Sequence, residues 1–190
     1  ALLELHGPAV PGILVAAGAP RFDPASRDAL AFALANVPVH FLSDPWTGDP
    51  GGCLVLPRDR RDEALAALAG AELAEIGEAE LEALRIEGGR PRGGAEIDER
   101  TLLAELDRPE MVSHDKGCYL GQETTARVHT RGRVNRLLRG LVVEGDVPPE
   151  PGTPVRVDGE PAGEVRSAVR SPSLRRPVAL AWLRGAAAEP

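Results

Sequence analysis

The chain of 190 residues has two cysteines, Cys53 and Cys118. They stand far apart in unlike surroundings, which excludes a disulfide framework as the organising device and makes a reducing compartment, the cytoplasm, the expected location. Aromatic residues make up 3% of the sequence, so Ala, Leu, Val and Ile must fill whatever core forms. No apolar run approaches the ~20 residues that cross a bilayer. The opening ALLELHGPAV has neither the basic flank nor the cleavage pattern of a secretory signal, so no membrane role is expected. Basic charge is short as well: 22 Lys and Arg stand against 29 Asp and Glu, a net charge of −7. General affinity for nucleic acid needs a cationic surplus to neutralise phosphate, and that surplus is missing.

Glycine (21) and proline (18) are plentiful, which implies many turns. The length accommodates one domain or two, and two are expected. There is no initiating Met, and the first residues already alternate like a strand, so the chain is expected to be part of a longer protein. Leu3 and Leu5 read as a strand stopped at Gly7-Pro8, and PGILVAAGA as a short helix entered at Pro11 and closed near Gly18. RDALAFALA, residues 27–35, reads as a second apolar helical stretch ending before Pro38. VPVHFL and GGCLVLP read as strands joined by the turn-rich SDPWTGDPGG. RDEALAALAGA and EAELEALRIEGG carry apolar residues at helical spacing, the latter stopping at Gly88 and Gly89.

Arg90 to His114 is irregular and polar, a connecting arm. Beyond Arg133 come short strands separated by Gly and Pro, with Asp158-Gly159 marking a tight hairpin. The expectation is an α+β chain in which a ferredoxin-like α/β part is followed by a small C-terminal antiparallel β-barrel of about six strands. The domains are expected at 1–112 and 133–190 with a connecting segment at 113–132, and the alanine-rich tail is expected to fray.

That connecting segment holds the most distinctive string, HDKGCYLGQETTARVHTRGR, His114 to Arg133. Thiols react as thiolates, and a nearby ammonium or a helix N-terminus favours the thiolate; Lys116 supplies the cation and GQETTARV the candidate helix. Gly117 and Gly121 bracket Cys118 and let the backbone bend tightly around it. The plain alternative is a turn whose cysteine is buried, because free cysteine is among the most buried residue types. Gln122 and Glu123 add an amide and a carboxylate, and Arg127 stands four residues after Glu123, where a helix would pair them. Arg127, Arg131, Arg133, Arg136 and Arg139 form a basic stripe that could receive an anion or serve as a solvated face. Cys118 and His114 are four apart, yet no further Cys or His cluster completes a metal site. His6 and His129 read as solvent-facing or satisfied histidines, and Cys53 as core.

Lys116-Gly117-Cys118-Tyr119-x-Gly121-Gln122-Glu123, followed by Ala126-Arg127, resembles the signature of the YgfZ/IBA57 folate-binding proteins, which share a fold superfamily with the aminomethyltransferase (T-protein) of the glycine cleavage system. The resemblance extends to HGPAVPGILVAAG, to Leu84–Leu106 and to the strand-rich stretch after Arg133. It implies tetrahydrofolate as ligand in a central opening, and places the catalytic aspartate of T-proteins in a region upstream of this chain. Glu87 matches a T-protein position whose carboxylate faces the pterin, where it can accept two adjacent N–H groups. Cys118-Tyr119 stands where T-proteins usually have an Asp-Phe-like pair, and the cysteine version resembles the iron–sulfur-linked branch.

By that resemblance Cys118 and Lys116 are the candidate reactive residues, and Glu87, Tyr119, Gln122, Glu123 and Arg127 the candidate folate contacts. Three readings follow. The first is a folate-binding accessory factor for iron–sulfur cluster assembly or repair, with Fe–S client enzymes or assembly proteins as partners, tRNA-modifying enzymes among them. One thiol cannot hold a cluster alone, so the partner would share it. The second is an aminomethyltransferase of the T-protein type, and the third a non-catalytic module binding RNA or protein.

Overall fold

A computed structural model of the chain describes residues 1–26, 28–113, 116–131 and 134–188, apart from the side chains of Glu110, Thr124, His129, Thr130, Arg131 and Ala186. The chain divides into two compact units, Ala1–Arg90 and Pro91–Pro190.

The first unit runs β1 (Leu2–His6), α1 (Val10–Ala16), β2 (Ala29–Leu34), β3 (Val37–Ser43), β4 (Gly51–Val55), α2 (Arg61–Leu68) and α3 (Glu78–Glu87). The four strands form one sheet in the order β1-β4-β3-β2, with every neighbouring pair antiparallel. The α+β expectation holds, but the β-α-β-β-β-α-α order is not the β-α-β-β-α-β order of a ferredoxin-like unit. β3 sets the register by strict alternation: Val37, Val39, Phe41 and Ser43 are buried, while Pro38, His40 and Leu42 face out. Pro38 costs this inner strand nothing, because the pairing with β4 begins only at His40. Val10, Leu14, Leu34, Phe41, Leu54, Ala64 and Leu68 close the core.

The stretch 27–35, expected as helix, contains strand β2 instead. Its period is two: Leu30 and Phe32 pack on the core and Leu34 is buried in it, while Ala29, Ala31 and Ala33 are exposed. Ala35 and Asn36 both take positive φ, 46° and 70°, in the two-residue turn whose twist matches a hairpin. Local helix preference of Ala and Leu gives way to six cross-strand pairings with β3.

The second unit begins with an arm, continues through α4 (Gln122–Arg131), and ends in β5 (Arg136–Val142), β6 (Pro154–Val157), β7 (Glu160–Arg170) and β8 (Pro177–Arg184). Its strands pair antiparallel in the order β5-β8-β7-β6. Among the described residues these four strands form an open sheet, so the expected barrel of about six strands is met in part: the strand-rich C-terminal part is there, but no closed barrel is detected. Residues 143–153 contain Pro148, Pro149 and Pro151, which lack the N–H that a ladder requires. β8 is buried from Pro177 to Leu183, as an inner strand should be. Asp158 and Gly159 take φ of 52° and 86° in the β6–β7 turn, as the sequence predicts. Close packing sets one glycine: a Cβ on Gly163 would fall 1.9 Å from the Trp182 carbonyl oxygen.

The arm has little regular structure, yet it is fastened to this sheet. Glu96 is fully buried; its carboxylate accepts hydrogen bonds from the Ser167 hydroxyl and the Arg92 N–H, and its carbonyl accepts one from Trp182 Nε1 at 3.2 Å. Arg166 donates twice to the Ala95 carbonyl, at 3.0 and 2.7 Å. The tail does not fray as far as Ala188. Gly185–Ala188 form a 3-10 turn, Ala188 is buried, and its carbonyl accepts a hydrogen bond from Arg139 Nε at 2.7 Å. Among the described residues no helix is long and apolar enough to cross a membrane.

Candidate functional site

In the first unit, three pieces of chain meet at one corner: the end of β1, the loop 44–50 between β3 and β4, and the C-terminal end of α3. Glycines permit the contact. Gly88 follows α3 directly, and a Cβ there would fall 1.9 Å from the Thr47 carbonyl oxygen. The α-carbon of Gly88 in turn lies 3.2 Å from where a Cβ on Gly48 would stand. The last turn of α3 is held by Arg85, whose fully buried guanidinium donates to the Glu82 carboxylate and to the Arg90 carbonyl. Glu87 is the final residue of this helix and is half-buried. A carboxylate at a helix C-terminus faces the negative end of the helix dipole, a mild electrostatic cost.

Two further polar groups at this corner escaped the sequence reading. Thr47 Oγ1 and His6 Nδ1 are buried and, among the described residues, accept or donate no hydrogen bond. His6, expected to face solvent or to be satisfied, does neither in full: its side chain is largely buried, Nε2 lies 3.3 Å from the Glu4 carboxylate, Nδ1 has no partner among the described residues, and its ring tilts against Trp46 at 6.4 Å. A buried polar atom without a partner costs about 1–3 kcal/mol, so such atoms mark places where a ligand or water completes the structure. The available signal was the loop itself, turn-rich yet carrying Trp46. Cys53, expected as core, is half-buried opposite Glu4 and Leu42 in the sheet register. Burial pushes its thiol pKa up, and the Glu4 and Asp44 charges push it further.

The second candidate is the signature segment. Cys118 is exposed, which decides between the two readings of that turn in favour of an accessible sulfur. Gly121 takes a φ of 88°, a left-handed bend just before α4. α4 begins at Gln122, as the sequence predicts. The Lys116 ammonium, expected as the cation beside Cys118, lies 4.3 Å from the centroid of the Tyr119 ring in a cation–π contact. Tyr119 and Gln122 are half-buried, while Glu123 and Arg127 are exposed and joined at 2.6 Å. His114 and Arg133 lie outside the described residues, as do the side chains of His129 and Arg131.

The described members of the arginine stripe are engaged within the molecule. Arg136 grips the Glu105 carboxylate with two hydrogen bonds of 3.1 Å and stacks 4.3 Å over the Trp182 ring. Arg139 binds Asp107 at 2.7 Å and the Ala188 carbonyl. With Arg127 paired to Glu123, the described side chains of the stripe form no row of free cations. Among the described residues no group of three or more His, Cys, Asp or Glu could hold a metal ion.

Residues 136–190 match the glycine cleavage T-protein C-terminal barrel domain. The whole chain is similar to aminomethyltransferases. That of Streptomyces avermitilis is 32% identical over 203 residues, covering 100% of this chain and 53% of the relative. That of Thermus thermophilus is 32% identical over 193 residues, again covering 100% of this chain and 53% of the relative. The crystal structure of the glycine cleavage system aminomethyltransferase T from Bartonella henselae shares the fold, with a TM-score of 0.76 at 24% identity, covering 96% of this chain and 51% of that one. The chain thus spans about half the length of the relatives it matches.

Proposed function

We propose that this chain forms part of a tetrahydrofolate-binding protein of the aminomethyltransferase type, acting in one-carbon transfer. The observation that carries this reading is the similarity to aminomethyltransferases along all of the chain. The corner at the end of α3 fits the ligand chemically. A pterin presents a ring N–H beside an exocyclic amino group, and the Glu87 carboxylate can accept both. Thr47 Oγ1 and His6 Nδ1, buried at the same corner without a hydrogen-bond partner among the described residues, support a polar ligand there. The bound folate would supply the acceptor nitrogens for the carbon unit; the residues of this chain hold and orient it.

The test uses the full-length protein. Calorimetric titration with tetrahydrofolate gives binding, and Glu87→Gln weakens it roughly tenfold to a hundredfold, the worth of a charge-assisted hydrogen bond. Folate-dependent release of ammonia from an aminomethylated carrier protein reports the transfer. Full binding by the variant would remove Glu87 from the site, and absence of both binding and ammonia release would remove the proposal.

A second reading is supported by a separate observation, the exposed Cys118 on its glycine-bracketed bend. It is the YgfZ/IBA57-like role: a folate-binding accessory protein serving iron–sulfur client enzymes, including those that modify tRNA, with Cys118 as one thiolate ligand of a cluster shared with a partner. Here Cys118→Ala abolishes support of a client Fe–S enzyme while leaving folate binding intact. Client activity unchanged by Cys118→Ala would rule out the cysteine's part in it.

A further inference from the structure

We propose that the tip of the β3–β4 loop, residues 46–49, is a gate over the corner at the end of α3, shut in this structure and opening to let a ligand reach Thr47 and His6. The ends of the loop are pinned. The Asp44 N–H donates to the Gly51 carbonyl and the Gly7 N–H to the Pro50 carbonyl, each at 2.9 Å. Between these pins the tip bonds only locally: the Trp46 N–H donates to the Asp44 carbonyl at 2.7 Å and the Gly48 N–H to the Pro45 carbonyl at 3.0 Å. No backbone hydrogen bond joins residues 46–49 to another segment of the described chain. Packing alone holds the tip down, with Gly48, at a φ of 97°, against Gly88, and the Thr47 carbonyl oxygen 1.9 Å from where a Cβ on Gly88 would stand.

Shutting the tip costs hydrogen bonds. Thr47 is 4% exposed and the His6 side chain 7%, and neither Thr47 Oγ1 nor His6 Nδ1 has a partner among the described residues. Each buried orphan disfavours the shut form, and opening gives both atoms water or ligand. Both are closed off by this chain itself, so neither a ligand nor any further segment meets them until the tip moves. Donation from His6 Nε2 to Glu4 leaves Nδ1 an acceptor, Thr47 offers a hydroxyl, and the half-buried Glu87 carboxylate stands next in sequence to Gly88. The gate thus admits a ligand edge rich in N–H donors. That this ligand is a folate rests on the function proposed above; the movement does not.

The test uses the full-length protein carrying Thr47→Cys, whose thiol is alkylated only when the tip lifts; peptide mapping reads it apart from Cys53 and Cys118. Labelling is expected to proceed by local opening, at a rate that low denaturant leaves unchanged. Gly88→Ala acts as a wedge: the backbone there, at a φ of −73°, accepts alanine, but the new Cβ meets the Thr47 carbonyl, so labelling speeds up at least about tenfold. Thr47→Val removes the orphaned hydroxyl in nearly the same shape, and it should raise the melting temperature and slow the association of tetrahydrofolate. Circular dichroism establishes that the variants keep the sheet; if Gly88→Ala does not fold, the denaturant dependence of labelling and the Thr47→Val melt decide between them. Labelling that tracks global unfolding, or that Gly88→Ala leaves unchanged, overturns the gate. So does a melting temperature lowered by Thr47→Val, the mark of a hydroxyl satisfied by a fixed buried water. A protein that labels as expected yet binds no tetrahydrofolate keeps the gate and loses the folate reading alone.

Discussion

The two cysteines differ in accessibility and environment, and that difference is directly measurable. Cys118 is exposed, whereas Cys53 is half-buried between Glu4 and Leu42. An alkylating reagent should modify Cys118 first, as peptide mapping of a labelling time course would show. For Cys53 the folded state favours the neutral thiol, chiefly through burial and then through the carboxylates of Glu4 and Asp44. Its labelling rate should therefore rise with pH later than that of an ordinary thiol. The linked stability has a definite sign. A raised pKa means the folded state holds its proton longer than the unfolded one, so the contribution is complete below the unfolded value, 9.0, and is lost as pH climbs through the folded value. Denaturant midpoints measured on the alkaline side, with Cys53→Ser as the comparison, should show that loss in the parent alone.

Elements were legible wherever turn chemistry and period agreed. Pro11, Gly18, Gly89 and Asp158-Gly159 punctuate the chain as their backbone preferences require, and β1, α1, α3 and the β6–β7 hairpin follow. The misreading of β2 has a physical cause: Ala and Leu favour helix locally, and the turn after the strand uses Ala35-Asn36 rather than the Asn-Gly pair that announces a hairpin. Asn tolerates positive φ and a β-branched residue does not. Asn36→Val should accordingly destabilise the protein by about 1–2 kcal/mol, and Asn36→Gly should leave it unchanged or firmer, as thermal melts would report. The arm was legible as irregular, but its attachment was not. Ion pairs such as Arg136 with Glu105 join residues 31 apart, beyond any local pattern. Arg136→Ala strands the Glu105 carboxylate, whose side chain is 10% exposed, and removes the stacking on Trp182. A loss of about 1–3 kcal/mol is expected in chemical denaturation, whereas Arg60→Ala, which breaks an exposed pair with Glu63, should shift the midpoint far less.

At the scale of the whole molecule, charge argues against the third reading, that of an RNA-binding module. The net charge is −7, and the described arginines of the stripe are already matched by Glu123, Glu105 and Asp107. Phosphate contacts would have to displace those carboxylates. Binding to a generic RNA, followed by fluorescence anisotropy at low and high salt, should be weak and should lack the steep salt dependence of a phosphate-neutralising surface. Tight, salt-sensitive binding would restore that reading. The candidate ligand corner was half visible in the sequence. Glu87 could be named only through the resemblance to T-proteins; the role of Thr47 and His6 could not, because their lack of partners emerges only in the folded corner.

The β6–β7 hairpin offers a practical consequence. Its tip, Asp158-Gly159, is exposed on a turn whose two positive φ values suit its residues, and the flanking strand residues Val157 and Glu160 are exposed too. Grafting a short epitope or dye-binding peptide between those two residues would stretch neither core nor ladder. The protein thus carries a natural handle for tracking it in cells, at a point where added sequence leaves the fold intact.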